Sequence, residues 1–254
     1  MKKFLLTAAG FDPTSGAGAT LDLRVFRRFG YYGLAVLTSV TVQNSRRVYE
    51  YLDLPPEFIL KQYRKLTADL RPDGLKLGML GSKKAFPAIE EILSASREIP
   101  VVVDPVFRSS SGCWLLEKES LKDFLKLIKG KITLLTPNLA EASLITGKKI
   151  DRPERMVEAA RKITEMIDGA CLIKGGHLRD QALDVLYDGQ KIYEIKKKKI
   201  PLEVHGTGCF FSSAVLCFLA RGEKLPSACR EASSAIKQAM KSTIRGKGRS
   251  LFAI

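Results

Sequence analysis

Histidine and tryptophan are scarce in this chain, and acidic residues are in deficit. Its 254 residues include two histidines and one tryptophan, and 27 Asp+Glu face 42 Lys+Arg, a formal net charge of +15. The five cysteines, at 113, 171, 209, 217 and 229, are odd in number, scattered and without CxxC spacing. That pattern argues against a disulfide framework and for reduced thiols. No apolar run approaches the roughly 18 residues needed to span a bilayer. Met1-Lys2-Lys3 and the short apolar stretch behind it imitate a signal peptide, but the stretch runs straight into Phe11-Asp12-Pro13 with no cleavage signal. It reads as a first buried strand, and the protein as cytoplasmic. No GxxxxGK[ST] is present, which excludes a P-loop. Gly16-Ala17-Gly18-Ala19 lacks the third glycine of a dinucleotide fingerprint.

What remains is ordinary for a globular protein: 45% hydrophobic and 27% charged residues exclude disorder, and 20 Gly with 11 Pro exclude a collagen-like chain. The excess of +15 points to a polyanion, to phosphate-rich substrates, or to a basic solvated surface. Basic residues are spread along the chain rather than gathered with aromatics, so no nucleic-acid partner is expected. The one run, Lys196-Lys197-Lys198-Lys199, reads as an exposed strand edge on which lysines discourage edge pairing.

Short apolar runs alternate with amphipathic segments, the pattern of a layered α/β domain. Strands are predicted at 4–9, 34–42, 48–54, 74–77, 101–103, 132–135, 170–174, 183–187 and 191–195, the last two joined by a turn at Asp188-Gly189. Helices are predicted over 21–29, from Pro55-Pro56 to Leu66, and over 82–94, 117–128, 139–145, 153–167, 207–219 and 227–244. With no repeat and no linker-like break, 1–254 reads as a single domain.

In an open parallel sheet, ligands sit beyond the carboxyl ends of the strands, so the residues following each strand carry the information. Glycine-rich or polar elements follow six of them, 10–18, Gln43-Asn44, 78–81, Asp104-Pro105-Val106, Thr136-Pro137-Asn138 and Lys174-Gly175-Gly176-His177, and a seventh, His205-Gly206-Thr207-Gly208-Cys209, opens a late helix. The last is the sharpest. Its small residues precede an apolar helix, where a phosphate can approach bare backbone N–H groups at the positive end of the dipole. Cys209 falls in the first turn, where that field is expected to favour its thiolate. Asp104, at the end of a buried strand, suits Mg2+ or water. Asn138 and Glu141, three apart at a helix start, read either as a cap and first-turn carboxylate or as holders of metal-bound water. His177 and His205 each read as a loop donor or a catalyst.

Together, Asp12-Pro13-Thr14-Ser15-Gly16-Ala17-Gly18 with Asp22-Leu23, Gln43-Asn44, Lys76-Leu77-Gly78-Met79-Leu80, Val103-Asp104-Pro105-Val106, Thr136 to Ala142, Lys174 to His177 and His205 to Cys209 resemble the hydroxymethylpyrimidine/phosphomethylpyrimidine kinases of the ribokinase-like superfamily, in order and over nearly the whole chain. The resemblance implies a three-layer αβα sandwich on a mostly parallel sheet. It also implies ATP-dependent phosphorylation of 4-amino-5-hydroxymethyl-2-methylpyrimidine and then of its monophosphate, in thiamine biosynthesis, by a homodimer. It puts Gly10, Asp22, Gln43, Met79 and Val106 on the pyrimidine pocket, Gln43 being apt for an aminopyrimidine edge. Gly206, Thr207 and Gly208 become the anion hole and Cys209 the proton acceptor. Lys174, Asn138 and Thr207 serve ATP; Asp104, Asn138 and Glu141 serve Mg2+, partly through water. The segment after Val106, a flap near 107–114, departs from the family's usual sequence at Arg108 and Cys113. The rival of the same fold is a pyridoxal/pyridoxine kinase, which the thiol of Cys113 favours and Gln43-Asn44 disfavours. A non-catalytic nucleic-acid-binding protein is the remote alternative.

Overall fold

The computed structural model describes residues 3–109, 112–176, 182–197 and 202–254. Strands β1 (Phe4–Phe11), β2 (Tyr32–Gln43), β3 (Val48–Asp53), β4 (Leu75–Leu77), β5 (Val101–Val103), β6 (Leu134–Leu135), β7 (Ala170–Gly175), β8 (Ala182–Tyr187) and β9 (Ile192–Lys197) form, among the described residues, one sheet in the order β3-β2-β1-β4-β5-β6-β7-β8-β9. From β2 to β7 the pairs are parallel, and β3, β8 and β9 add antiparallel edges. The short β4 and β5 are fully buried; burial on both faces is why β5 is a continuous apolar run rather than an alternating one.

Helices α1 (Gly18–Arg28), α7 (Thr207–Ala220) and α8 (Leu225–Ala239) cover one face of the sheet, while α2 (Pro56–Thr67), α3 (Phe86–Ala95), α4 (Leu121–Ile128), α5 (Leu139–Thr146) and α6 (Pro153–Ile167) cover the other. Alternation along β1 feeds both layers: Leu5 packs with Leu21, Phe26, Phe210 and Phe211, and Leu6 with Ile59, Ile89 and Ile92. Phe210 and Phe211 are at most 1% exposed, each burial contributing about 1.5–3 kcal/mol, and they root α7 directly below its first turn. This is the expected three-layer α/β architecture. No helix among the described residues is long and apolar enough to cross a membrane.

Several predicted boundaries move, two of them with a clear physical reason or consequence. The helix expected over 227–244 ends at Ala239, and β10 (Thr243–Arg245) pairs antiparallel with β11 (Ser250–Phe252) around Gly246 and Gly248. A β-branched stretch followed by a glycine turn favours a hairpin over another helical turn. The strand expected from 132 shortens to Leu134–Leu135. Lys196 and Lys197 do lie on edge strand β9; Lys198, Lys199 and His177 fall outside the described residues.

Candidate active site

The strand order reverses between β1 and β4, the crevice where open α/β sheets bind ligands. A cleft of about 1560 Å3 opens there. Gly10, Gln43, Met79, Val106, Asp104, Asn138, Glu141, Lys174 and Gly206 to Cys209 line it, together with the apolar Val204, Phe211, Ile236 and Met240. Of the residues that the resemblance assigns to the pyrimidine pocket, the anion hole, ATP or Mg2+, Asp22 alone is absent from the lining. It is wholly buried, its carboxylate accepting from Thr7 Oγ1 at 2.7 Å, Lys76 Nζ at 2.8 Å and Ser213 Oγ at 2.8 Å. The expectation that Asp22 lines the pyrimidine pocket is therefore corrected: its carboxylate is committed to tying β1, β4 and α7 together beneath the cleft.

Two helices aim their N-termini into the cleft. Gly206, at φ 82°, caps α7 without any side-chain hydrogen bond, so the amides of the first turn face the cleft with no side chain in the way. A side chain at 206 would drive a Cβ to 1.9 Å from the Gly16 carbonyl oxygen. Gly18 opens α1 at φ 60°, and a Cβ there would lie 2.3 Å from the Gly10 carbonyl oxygen. Both positions need glycine for backbone conformation and for space, and both leave bare backbone beside the site of an anion.

Asp104 is almost fully buried and accepts from Lys174 Nζ at 2.7 Å. Burial works against its charge, but Lys174, Lys76 and the Cys209 thiol hold its carboxyl below the usual range. Glu141 takes the opposite course: burial dominates, Lys174 relieves it in part, Asp104 adds repulsion, and its carboxyl is pushed up to about 8. Asn138 and Glu141 form a full capping box on α5, with Glu141 N–H donating to Asn138 Oδ1 at 2.9 Å and Asn138 N–H to Glu141 Oε2 at 2.7 Å. Of the two readings of that pair, the cap is realised. Asp104, Glu141 and Asn138 are oxygen donors whose carboxylates repel one another, a set that suits Mg2+.

Cys209 does not meet the expectation of a helix-stabilised thiolate. Burial, followed by the opposing influences of Lys76 (down) and Asp104 and Asp22 (up), pushes its thiol to about 12, with only modest help from the Gly18 amide. Two nearby carboxylates and the loss of water outweigh the α7 dipole. Sequence reasoning also passed over Lys76 and Asp12. A lysine flanked by Leu75 and Leu77 in a buried three-residue strand was the available signal, because a buried ammonium requires a partner. In the flap segment, Arg108 and Trp114 form an isolated antiparallel bridge, with the guanidinium 3.7 Å above the indole. Cys113 is absent from the cleft lining, and its thiol donates to the Trp114 carbonyl at 3.5 Å.

Helix N-termini, a buried lysine and paired carboxylates, set at the switch point of a ribokinase-like αβα sandwich, define a small-molecule kinase. The family model for phosphomethylpyrimidine kinase matches residues 12–251. The hydroxymethylpyrimidine/phosphomethylpyrimidine kinase of Aquifex aeolicus is 39% identical over 250 residues, 96% of each chain. Among solved structures, a phosphomethylpyrimidine kinase from Clostridium difficile is similar with a TM-score of 0.80 at 33% identity, over 94% of this chain and 100% of that one. The pyridoxal kinase of Staphylococcus aureus in complex with pyridoxal superposes with a TM-score of 0.88 at 29% identity, over 99% and 93%. The chain belongs to the phosphomethylpyrimidine kinase family.

Proposed function

We propose that this cleft transfers the ATP γ-phosphoryl to 4-amino-5-hydroxymethyl-2-methylpyrimidine and then to its monophosphate, giving the diphosphate used for thiamine. The observation that supports the reading is that Gln43 and the bare first turn of α7 line one and the same cleft. The Gln43 amide offers both a donor and an acceptor to an aminopyrimidine edge. ATP phosphates lie at Thr207, Gly208 and Lys174, where N–H dipoles and the ammonium offset charge in a loose transition state. The hydroxyl oxygen forms its bond to the γ-phosphorus as the β–γ bridge breaks and ADP leaves. Because the Cys209 thiol is protonated at neutral pH, it takes the hydroxyl proton while passing its own to the neighbouring Asp104 carboxylate, whose charge that thiol favours. Asp104, Glu141 and Asn138 would hold Mg2+, which supplies charge neutralisation at the phosphates.

The pyridoxal reading keeps the support of the structural likeness but loses that of Cys113, whose thiol is turned to a carbonyl outside the cleft lining. A phosphorus NMR time course with ATP and hydroxymethylpyrimidine is expected to show the monophosphate and then the diphosphate. A far higher kcat/KM for pyridoxal in a parallel assay would overturn the assignment. Self-association belongs to the same proposal: Val40, Val42 and Leu52 share one face of the β2–β3 edge and stay 37%, 58% and 69% exposed, an apolar stripe suited to a second copy. Sedimentation checks it.

A further inference from the structure

Asp12 and His205 lie 193 residues apart and meet at the cleft, where the transfer proposed above uses neither. Asp12 is 2% exposed. Its Oδ1 accepts from Thr14 N–H and Thr14 Oγ1, both at 2.8 Å, and its Oδ2 from Ala17 N–H at 2.9 Å. This one carboxylate therefore shapes the whole β1–α1 loop that ends at Gly18. The remaining partner of Oδ2 is His205 Nε2 at 3.1 Å, from the residue just before the Gly206 cap of α7. Burial opposes the charge on Asp12, but the His205 and Thr14 hydrogen bonds keep its carboxyl below the ordinary range. An ionised carboxylate can only accept, so Nε2 carries the hydrogen. The buried Nδ1 has no hydrogen-bond partner among the described residues, and the side chain's polar hold on its surroundings is the single Nε2 bond.

The His205 and Leu251 side chains close on the Gly16 backbone at the same point. A Cβ on Gly16 would lie 2.7 Å from His205 Cδ2 and 2.6 Å from Leu251 Cδ2. The β10–β11 hairpin braces this joint from behind: His205 N–H donates to the Ser250 carbonyl at 2.9 Å, and Arg24 spans the carbonyls of Ser15, Phe252 and Ile254.

We infer that His205 is a positioning residue, which through Asp12 latches the β1–α1 loop to the first turn of α7 and so keeps the acceptor end of the cleft in register with the anion hole. The inference rests on the kinase reading above. A near-attack arrangement is sensitive to displacements of about 1 Å, worth on the order of 100-fold in rate, whereas each substrate can still bind its own half of the cleft.

The test uses the full chain with His205→Ala, His205→Gln and His205→Asn. The Gln amide reaches the Nε2 position, and the shorter Asn amide reaches only that of Nδ1. His205→Ala and His205→Asn are expected to lose at least tenfold in kcat while KM for ATP and for the pyrimidine each change less than threefold; His205→Gln is expected within threefold of the parent. Hydrogen exchange over residues 12–18 reads the latch without any substrate: protection falls in Ala and Asn and returns in Gln. An inactive parent would refute the kinase reading while leaving the exchange test intact. The latch is overturned by unchanged exchange in His205→Ala, by failure of Gln to restore it, or by a fall in thermal stability with kcat unaltered.

Discussion

Replacing Lys76 with methionine isolates what the buried ion pair contributes. The Lys76 ammonium lies 2.8 Å from Asp22, and both side chains are fully shielded from solvent. Burial opposes the lysine's charge, but Asp22, Cys209 and Asp104 together raise its pKa above the ordinary value, so it is charged at any working pH. Methionine preserves most of the stem's volume and removes only the charge. Asp22 then keeps two hydroxyl donors, Thr7 and Ser213, and loses its counter-ion. Breaking a buried pair from one side costs about 3–5 kcal/mol. The surviving hydroxyls favour the lower figure, about 3 kcal/mol, or a fall in Tm of roughly 6–12 °C for a chain of this size. Lys76→Met with Asp22→Asn removes both charges, and is expected to return to within about 1–2 kcal/mol of the parent. Urea unfolding followed by circular dichroism, on the ligand-free protein, measures all three. A loss below about 1 kcal/mol in Lys76→Met, or a double variant no better than the single one, would refute the argument that a net buried charge is the damage.

Cys209→Ala is expected to lower kcat for the first transfer by about 100-fold, the lower end for general base catalysis because the transition state is loose. The second transfer starts from an anionic phosphate and should suffer less; equal effects in steady-state assays would contradict the proton-acceptor role. Gly206→Ala forces a Cβ onto the Gly16 carbonyl at a φ of 82°, so kcat should fall by about 10²–10³, the worth of a displaced anion-hole donor. Glu141 gives a pH signature. Its carboxyl rises from 4.5 to about 8 on folding, so its stabilising contribution is complete below about 4.5 and disappears as pH rises through about 8. Unfolding free energies of the ligand-free chain between pH 5 and 9 should decline with pH from this group, and Glu141→Gln should flatten the decline. Ten Lys and Arg residues line the cleft against five Asp and Glu among the described residues; kcat/KM for ATP is therefore expected to fall with added salt, and a flat response would dismiss substrate attraction by the field.

Strand and helix placement was legible wherever the apolar period was strong, as in α6, whose bounds Pro153 and Ile167 match the pattern residue for residue. The cleft was legible because short motifs after parallel strands must converge on one rim: Gly10, Gln43, Met79, Val106, Asp104, Asn138, Glu141, Lys174 and Gly206 to Cys209 all reach it. Asp22 was misplaced because a motif reports that a carboxylate matters, not which way it points. Its partners Thr7, Lys76 and Ser213 come from three other elements, and no local spacing records that meeting.

By itself, then, the sequence determined the layered α/β fold and the rim on which chemistry gathers, because periodicity and backbone demands at glycines are local properties, while the family followed from the resemblance of its ordered motifs. Tertiary structure alone decided the charges of that rim. Whether Cys209 is thiol or thiolate, whether Glu141 holds a proton, and whether Asp12 meets His205 depend on distances to groups far away in the chain. They depend equally on the loss of water around them, and electrostatic energy depends steeply on both.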